Sequence, residues 1–130
     1  MNVDYEKLEF SQIIDHMNAN TLVCMQIETK RALDIREELL AVPGIDAVMV
    51  GPADLSISLG VPGQFQHPKM VDAMEQIRDS CIQHGVAPGT QTRTLALAKF
   101  WKERGMLLRT PEYGSLRRPV GRFFLNRAGA

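Results

Sequence analysis

The sequence predicts an α/β fold built on parallel strands. Three observations carry that expectation: short runs apolar on both faces, at 21–27 and 47–50; helix-like amphipathic segments between and after them; and short connections marked by Gly and Pro. Parallel strands covered by helices on both faces read as continuous apolar runs, whereas half-exposed antiparallel strands alternate.

The elements follow in chain order. From Tyr5 to Met17, Leu8, Ile13, Ile14 and Met17 recur at loosely helical spacing, and NAN at 18–20 breaks the pattern. Thr21 to Ile27 is a run of strand formers. Lys30 to Leu40 then sets Ala32, Leu33, Ile35, Leu39 and Leu40 among charges, which predicts one helix until VPG at 42–44 stops it. Ala47 to Val50 is the next strand, and ADLSISLGVPGQFQ at 53–66 reads as a loop holding a short helix. A stronger helix begins at His67. Pro68 suits its first turn, Met70, Met74, Ile77 and Cys81 make one stripe, and HG at 84–85 closes it.

The same grammar repeats: VAPGT at 86–90 is a strand and loop, Leu95 to Arg104 a helix closed by Gly105, and MLLRT at 106–110 a fourth strand. Strand and helix in alternation imply right-handed crossovers. Four such strands are half of an eight-stranded barrel, whose usual size is about 250 residues. We therefore expect residues 1–116 to form half of a TIM-type (β/α) barrel. The stretch RRPVGRFFLNRAGA at 117–130 stands apart as an atypical, flexible basic tail.

Composition narrows the function classes. At 130 residues and 45% hydrophobic, the chain suits one domain of ordinary size. Fifteen basic residues balance fifteen acidic ones, so no net field favours nucleic acid or an anionic membrane surface. Arg117, Arg118, Arg122 and Arg127 lack the interleaved aromatics of a nucleic-acid groove beyond Phe123 and Phe124. The expected partner is a small molecule or a protein. Cys24 and Cys81 have neither zinc-site nor disulfide-scaffold spacing, which reads as a reduced, cytoplasmic protein. The start MNVDYEKLEF is acidic where a secretory signal is basic and then apolar, and no apolar run reaches membrane-spanning length.

Two acids follow the first two strands. Glu28 comes directly after TLVCMQI and Asp54 shortly after IDAVMVGPA. Neighbouring parallel strands lie about 4.8 Å apart, so acids at their ends can converge on one cation. Two hard carboxylates with no Cys or His beside them favour Mg²⁺- or Mn²⁺-type ions completed by water and substrate. Each acid alone also has an ordinary structural reading, as a helix cap or a surface charge.

The words LVCMQIETKRAL, VPGIDAVMVGPADLSISLG, QHPKM and HGVAPGT resemble the HpcH/HpaI aldolase family, metal-dependent pyruvate aldolases, over 20–105. The resemblance implies a modified TIM barrel of the phosphoenolpyruvate/pyruvate-binding type, of which this chain would be the second, C-terminal half. It also implies a divalent ion (Mg²⁺, Mn²⁺ or Co²⁺) on Glu28 and Asp54, and a 4-hydroxy-2-oxo acid cleaved to pyruvate and an aldehyde. Pyruvate would chelate the ion through its keto and carboxylate oxygens, with no Schiff-base lysine. Gly51 and Pro52 would shape the turn, and the backbone N–H groups of Ala53 and Asp54 would meet the pyruvate carboxylate. Gln26 shares a strand face with Glu28 and joins this substrate-binding set, a supporting role for the acid being equally open. The citrate lyase β-like relatives are the less fitting branch, given GPADLS.

The resemblance further implies a homo-oligomer with sites near subunit interfaces. The family's proton-transfer histidine, its partner aspartate and its arginine belong to the first half of the barrel, which no stretch of this chain matches. No catalytic residue is therefore assigned, and the chain reads as a truncated product or one with an internal start. His16, His67 and His84 read as structural residues near helix ends, where imidazole can meet terminal carbonyls. Phe100 and Trp101 read as packing residues. Thr90 to Arg93 line the barrel mouth or are ordinary loop polarity. The rival reading is a catalytically incompetent barrel half that binds metal or only assembles with other chains.

Overall fold

In a computed structural model, which describes residues 9–106 and 108–111, four parallel strands pair in sequence order. The elements are α1 (Phe10–Ala19), β1 (Cys24–Ile27), α2 (Lys30–Asp34), α3 (Arg36–Leu40), β2 (Ala47–Val50), α4 (Pro52–Ser58), α5 (Pro68–Gln83), β3 (Ala87–Thr92), α6 (Leu95–Glu103) and β4 (Leu108–Pro111). The register aligns Ile27 with Val50 and Val50 with Thr90, so β1 and β2 end level while β3 runs two residues further. An α/β fold of parallel (β/α) units is what the apolar runs predicted. The proposed tail at 117–130 lies outside the described residues.

Side-chain alternation divides the sheet into two faces. On one, Ile27, Val48 and Val50 are fully buried against the helices. Met70, Met74, Ile77 and Cys81 meet them from α5, each with no exposed surface. That stripe recurs every three or four residues, as the sequence required. The helix is bounded as predicted: His67 Nδ1 accepts the Lys69 N–H at 3.2 Å, Pro68 opens the first turn, and Gly85 takes φ 70° after the end. The other face, carrying Cys24, Gln26, Met49 and Gln91, is largely open.

Three expectations change. The helix predicted over 30–40 is two short helices, because Ile35 leaves helical geometry at φ −102° and ψ 19°. Leu33 and Leu40 are buried on either side of the break, and the Arg36 guanidinium donates to the Leu33 carbonyl at 3.0 Å. The first strand is shorter than 21–27. Residues 21–23 precede it, and the Val23 N–H is taken instead by the Asp46 carboxylate at 2.8 Å. The first helix runs over 10–19, and the part of the prediction on 5–8 falls outside the described residues. Its apolar positions do not reach the core: Ile13 is half-buried, while Ile14 and Met17 are exposed, because no described element packs over them.

At the far end, Trp101 is buried and Phe100 half-buried, their rings edge-on at 5.1 Å. Arg104 lies 3.6 Å above the Phe100 ring, and Arg78 of α5 donates to the Arg104 carbonyl at 2.9 Å. Trp101 therefore packs in the core and Phe100 seats Arg104, whose carbonyl ties the end of α6 to Arg78 of α5.

Candidate metal centre

Glu28 is the first residue after β1. Because Ile27 turns into the helix layer, alternation sends Glu28 to the open face beside Gln26. There it is half-buried, and Gln26 Nε2 donates to its Oε2 at 2.6 Å. The chain beyond is fixed at once: Thr29 caps α2, its hydroxyl accepting the Ala32 N–H at 3.1 Å. Asp54 follows β2 by way of the first turn of a helix. The Gly51 N–H donates to the Ile27 carbonyl at 3.0 Å, carrying the parallel pairing one residue past the strand. Pro52 then opens α4 and Asp54 lies exposed in its first turn.

Both acids therefore leave the carboxyl ends of adjacent parallel strands, where open and closed α/β sheets place ligands. Two further bonds steady the loops that carry them. The Lys30 N–H at the start of α2 donates to Ser58 Oγ at the end of α4, at 2.8 Å. Fully buried Ser56 donates to the Ala53 carbonyl at 2.6 Å and accepts the Gly63 N–H at 2.9 Å.

Gly51 sits where these elements meet. A Cβ there would fall 2.9 Å from Gln26 Nε2 and 3.0 Å from both Cβ and Oε2 of Glu28. The strand end carries no side chain in order to pass that close. No side chain caps α4, and Pro52 has no N–H, so the first amides of the helix are those of Ala53 and Asp54. Gln26, Glu28, Gly51, Pro52, Ala53 and Asp54 thus share one end of two neighbouring strands.

The donor set suits a hard divalent ion. Two carboxylates bring oxygen alone, and the described residues contain no cluster of three or more His, Cys, Asp and Glu side chains that could hold a metal. Such a pair fits Mg²⁺-class ions, which keep several waters and accept one or two carboxylates plus substrate oxygens. The three histidines are engaged elsewhere. His16 ends α1 and His84 ends α5, both at the opposite end of the sheet from the acids. His67 caps α5 through its ring.

The residues expected after the third strand mostly lie within it, since β3 runs to Thr92: Thr90 and Thr92 are buried, Gln91 is exposed on the open face, and only Arg93, also exposed, follows the strand. Arg93 lies 5.9 Å from the centre of the Phe65 ring. Beside this pair a cleft of about 450 Å³ opens between 63–67 and the start of α6, lined by Gln64, Phe65, Gln66, His67 and Leu97 among others. It contains neither of the acids.

Several residues that organise the molecule left no trace in the sequence pattern. Ser80 of α5 donates to Glu37 Oε1 of α3 and accepts from Arg36 Nε at 2.8 Å, while His84 Nε2 stands 3.0 Å from Glu37 Oε2. His84 thus meets a carboxylate rather than the terminal carbonyls expected for it, because α3 packs across the end of α5. The Ser80 hydroxyl, and next the His84 ring, hold the Glu37 carboxyl below the usual range. These partners lie more than forty positions apart, beyond any local signal.

Comparison with known proteins places this chain in a family. A profile of the HpcH/HpaI aldolase/citrate lyase family matches residues 3–102. A 4-hydroxy-2-oxo-heptane-1,7-dioate aldolase of Escherichia coli is 39% identical over 101 residues, 75% of this chain and 38% of that protein. Among solved structures, an HpcH/HpaI aldolase from Desulfitobacterium hafniense superimposes with a TM-score of 0.74 at 33% identity, over 87% of this chain and 45% of the other. An HpcH/HpaI aldolase/citrate lyase family protein from Burkholderia cenocepacia gives 0.71 at 36% identity, over 77% and 39%. The chain thus spans about two fifths of the length of the curated relatives it matches.

Proposed function

The chain belongs to the HpcH/HpaI aldolase/citrate lyase family, and from that premise we propose that it carries the metal-binding part of a divalent-metal-dependent aldolase acting on a 4-hydroxy-2-oxo acid. The observation that carries the reading is the placement of Glu28 and Asp54 beyond the ends of adjacent, in-register parallel strands, with Gly51 packed without a side chain against Gln26 and Glu28. Glu28 and Asp54 are the proposed ligands of Mg²⁺, Mn²⁺ or Co²⁺. A bound ion would supply Lewis-acid chemistry at the keto oxygen of a pyruvate unit. The protein's own contribution is orientation. The amides of Ala53 and Asp54, free of a side-chain cap, offer donors to a substrate carboxylate, and the missing Cβ at Gly51 leaves room beside them. Pyruvate and an aldehyde are the proposed products, and cytoplasmic homo-oligomers the proposed form. Among the described residues, no helix is long and apolar enough to cross a membrane.

A second reading is a barrel half that binds the ion without turnover. It is favoured by the engagement of His16, His67 and His84 in helix ends and in the Glu37 network, which leaves none of them beside the acids. One pair of measurements separates the readings: Mn²⁺ binding by calorimetry, and aldol cleavage with and without added Mn²⁺. Binding lost in Glu28→Ala and Asp54→Ala, with metal-dependent cleavage in the native chain, establishes the aldolase reading. Binding without cleavage establishes the second. Mn²⁺ binding unchanged in both variants would remove the acids from the site.

A further inference from the structure

The proposed ion ligand Glu28 is not presented as a free carboxylate, and the inference drawn here rests on its assignment as a ligand. Gln26 and Glu28 stand two residues apart and project from the same face. The Gln26 amide donates to Glu28 Oε2 at 2.6 Å, a short bond of the charge-assisted kind. Gly51 closes the other side of the pair. Its φ of −88° and ψ of 90° are open to any residue, so glycine is required there for space rather than for dihedral freedom. A methyl group at 51 would press on the ends of both side chains, which could rotate away. It would also press on Glu28 Cβ at 3.0 Å, which can move only if β1 moves.

We infer that Gln26 is a positioning residue that engages one lone pair of Glu28 Oε2 and fixes the carboxylate's orientation, so that Glu28 meets a cation preferentially through Oε1, and that this one-oxygen presentation favours small six-coordinate ions over Ca²⁺. Mg²⁺ demands near-octahedral geometry and accepts single oxygens from one or two carboxylates, with water and substrate completing the shell. Ca²⁺ takes six to eight oxygens and commonly draws two from one carboxylate. In a site with only two acids, a two-oxygen grip by Glu28 is the means of meeting that larger demand. The Gln26 amide competes for one of those oxygens and resists the rotation that a two-oxygen grip needs, while Gly51 leaves room for the pair to keep that geometry. Gln26 therefore sets ion preference without itself holding the ion.

The test is calorimetric titration of the full chain with Mn²⁺ and, separately, with Ca²⁺, in the native protein, Gln26→Leu, Gln26→Asn and Gly51→Ala, with circular dichroism confirming the fold of each. Gln26→Leu removes the donor and should shift the Mn²⁺ to Ca²⁺ affinity ratio toward Ca²⁺ by about tenfold, the lower end of what support residues around a metal contribute. Gln26→Asn, an amide one carbon shorter, should shift it less. Gly51→Ala should weaken both ions by about tenfold or more, since it displaces the ligand itself. A ratio unchanged in Gln26→Leu, with Mn²⁺ still bound by the native chain, would overturn this inference and leave the ligand assignment standing. Failure of the native chain to bind Mn²⁺ would overturn both.

Discussion

Ser58 accepts the backbone N–H of Lys30 at 2.8 Å, and through that bond the end of α4 is tied to the start of α2. Glu28 lies two residues before Lys30, and Asp54 four residues before Ser58 on the same helix. One hydroxyl therefore joins the two loops from which the acids emerge. Replacing it with Ala should cost about 1 kcal/mol, the usual net worth of a hydrogen bond. The loss should appear as a lower urea midpoint with an unchanged slope, and Mn²⁺ affinity should fall together with it. A midpoint equal to that of the native chain would show that the two loops are held by other contacts.

The Glu37 carboxyl predicts how stability follows pH. Its folded pKa lies below the ordinary value, first because of the Ser80 hydroxyl and then because of the His84 ring. The stability it contributes is therefore present above the unfolded carboxylate pKa and is lost as pH falls through the folded one. Denaturant midpoints of the native chain and Glu37→Gln should differ most at neutral pH and converge under acid. A difference that stays constant across that range would exclude the carboxylate as its source.

The α5 stripe should be costly to truncate. Ile77 has no exposed surface and faces the sheet within the main apolar cluster. Ile77→Ala should destabilise by about 2 to 5 kcal/mol through lost burial and the cavity left behind. For a domain of this size that is a large part of the total. Ile82, exposed on the same helix, should tolerate Ala within about 0.5 kcal/mol. Equilibrium unfolding of the two variants measures the contrast directly.

The two thiols should differ in reactivity. Burial, and to a lesser extent the Glu37 charge, push the Cys81 thiol up to about 11, and the residue has no exposed surface. Cys24 lies exposed on the edge strand, its pKa raised only by partial burial. Since the thiolate is the nucleophile, iodoacetamide should label Cys24 in the native chain and Cys81 only after unfolding. Mass spectrometry of the two peptides reads the order. Equal labelling under native conditions would mean that α5 opens readily from the sheet.

Much of this arrangement is legible in the residues taken in order. The period of Met70, Met74, Ile77 and Cys81 names the buried side of α5, and the run at 47–50 is the second strand to the residue. Glu28 and Asp54 attract notice because each follows such a run. Local patterning carries these features because burial against one layer depends only on the geometry of a single helix or strand.

What the chain order leaves open is what two elements do to each other. The break at Ile35 falls between two buried leucines, Leu33 and Leu40, and no residue near it is a helix breaker. Glu37 acquires Ser80 and His84 only because α3 crosses the end of α5. The glycine at 51 looks like a turn residue in the sequence. Only the packing of β2 against β1 reveals it as the space that Gln26 and Glu28 require. Periodicity determined which residues are buried and where the acids stand; the contacts around those acids were decided by the approach of neighbouring strands, since close-packed surfaces admit few arrangements and no single segment encodes them.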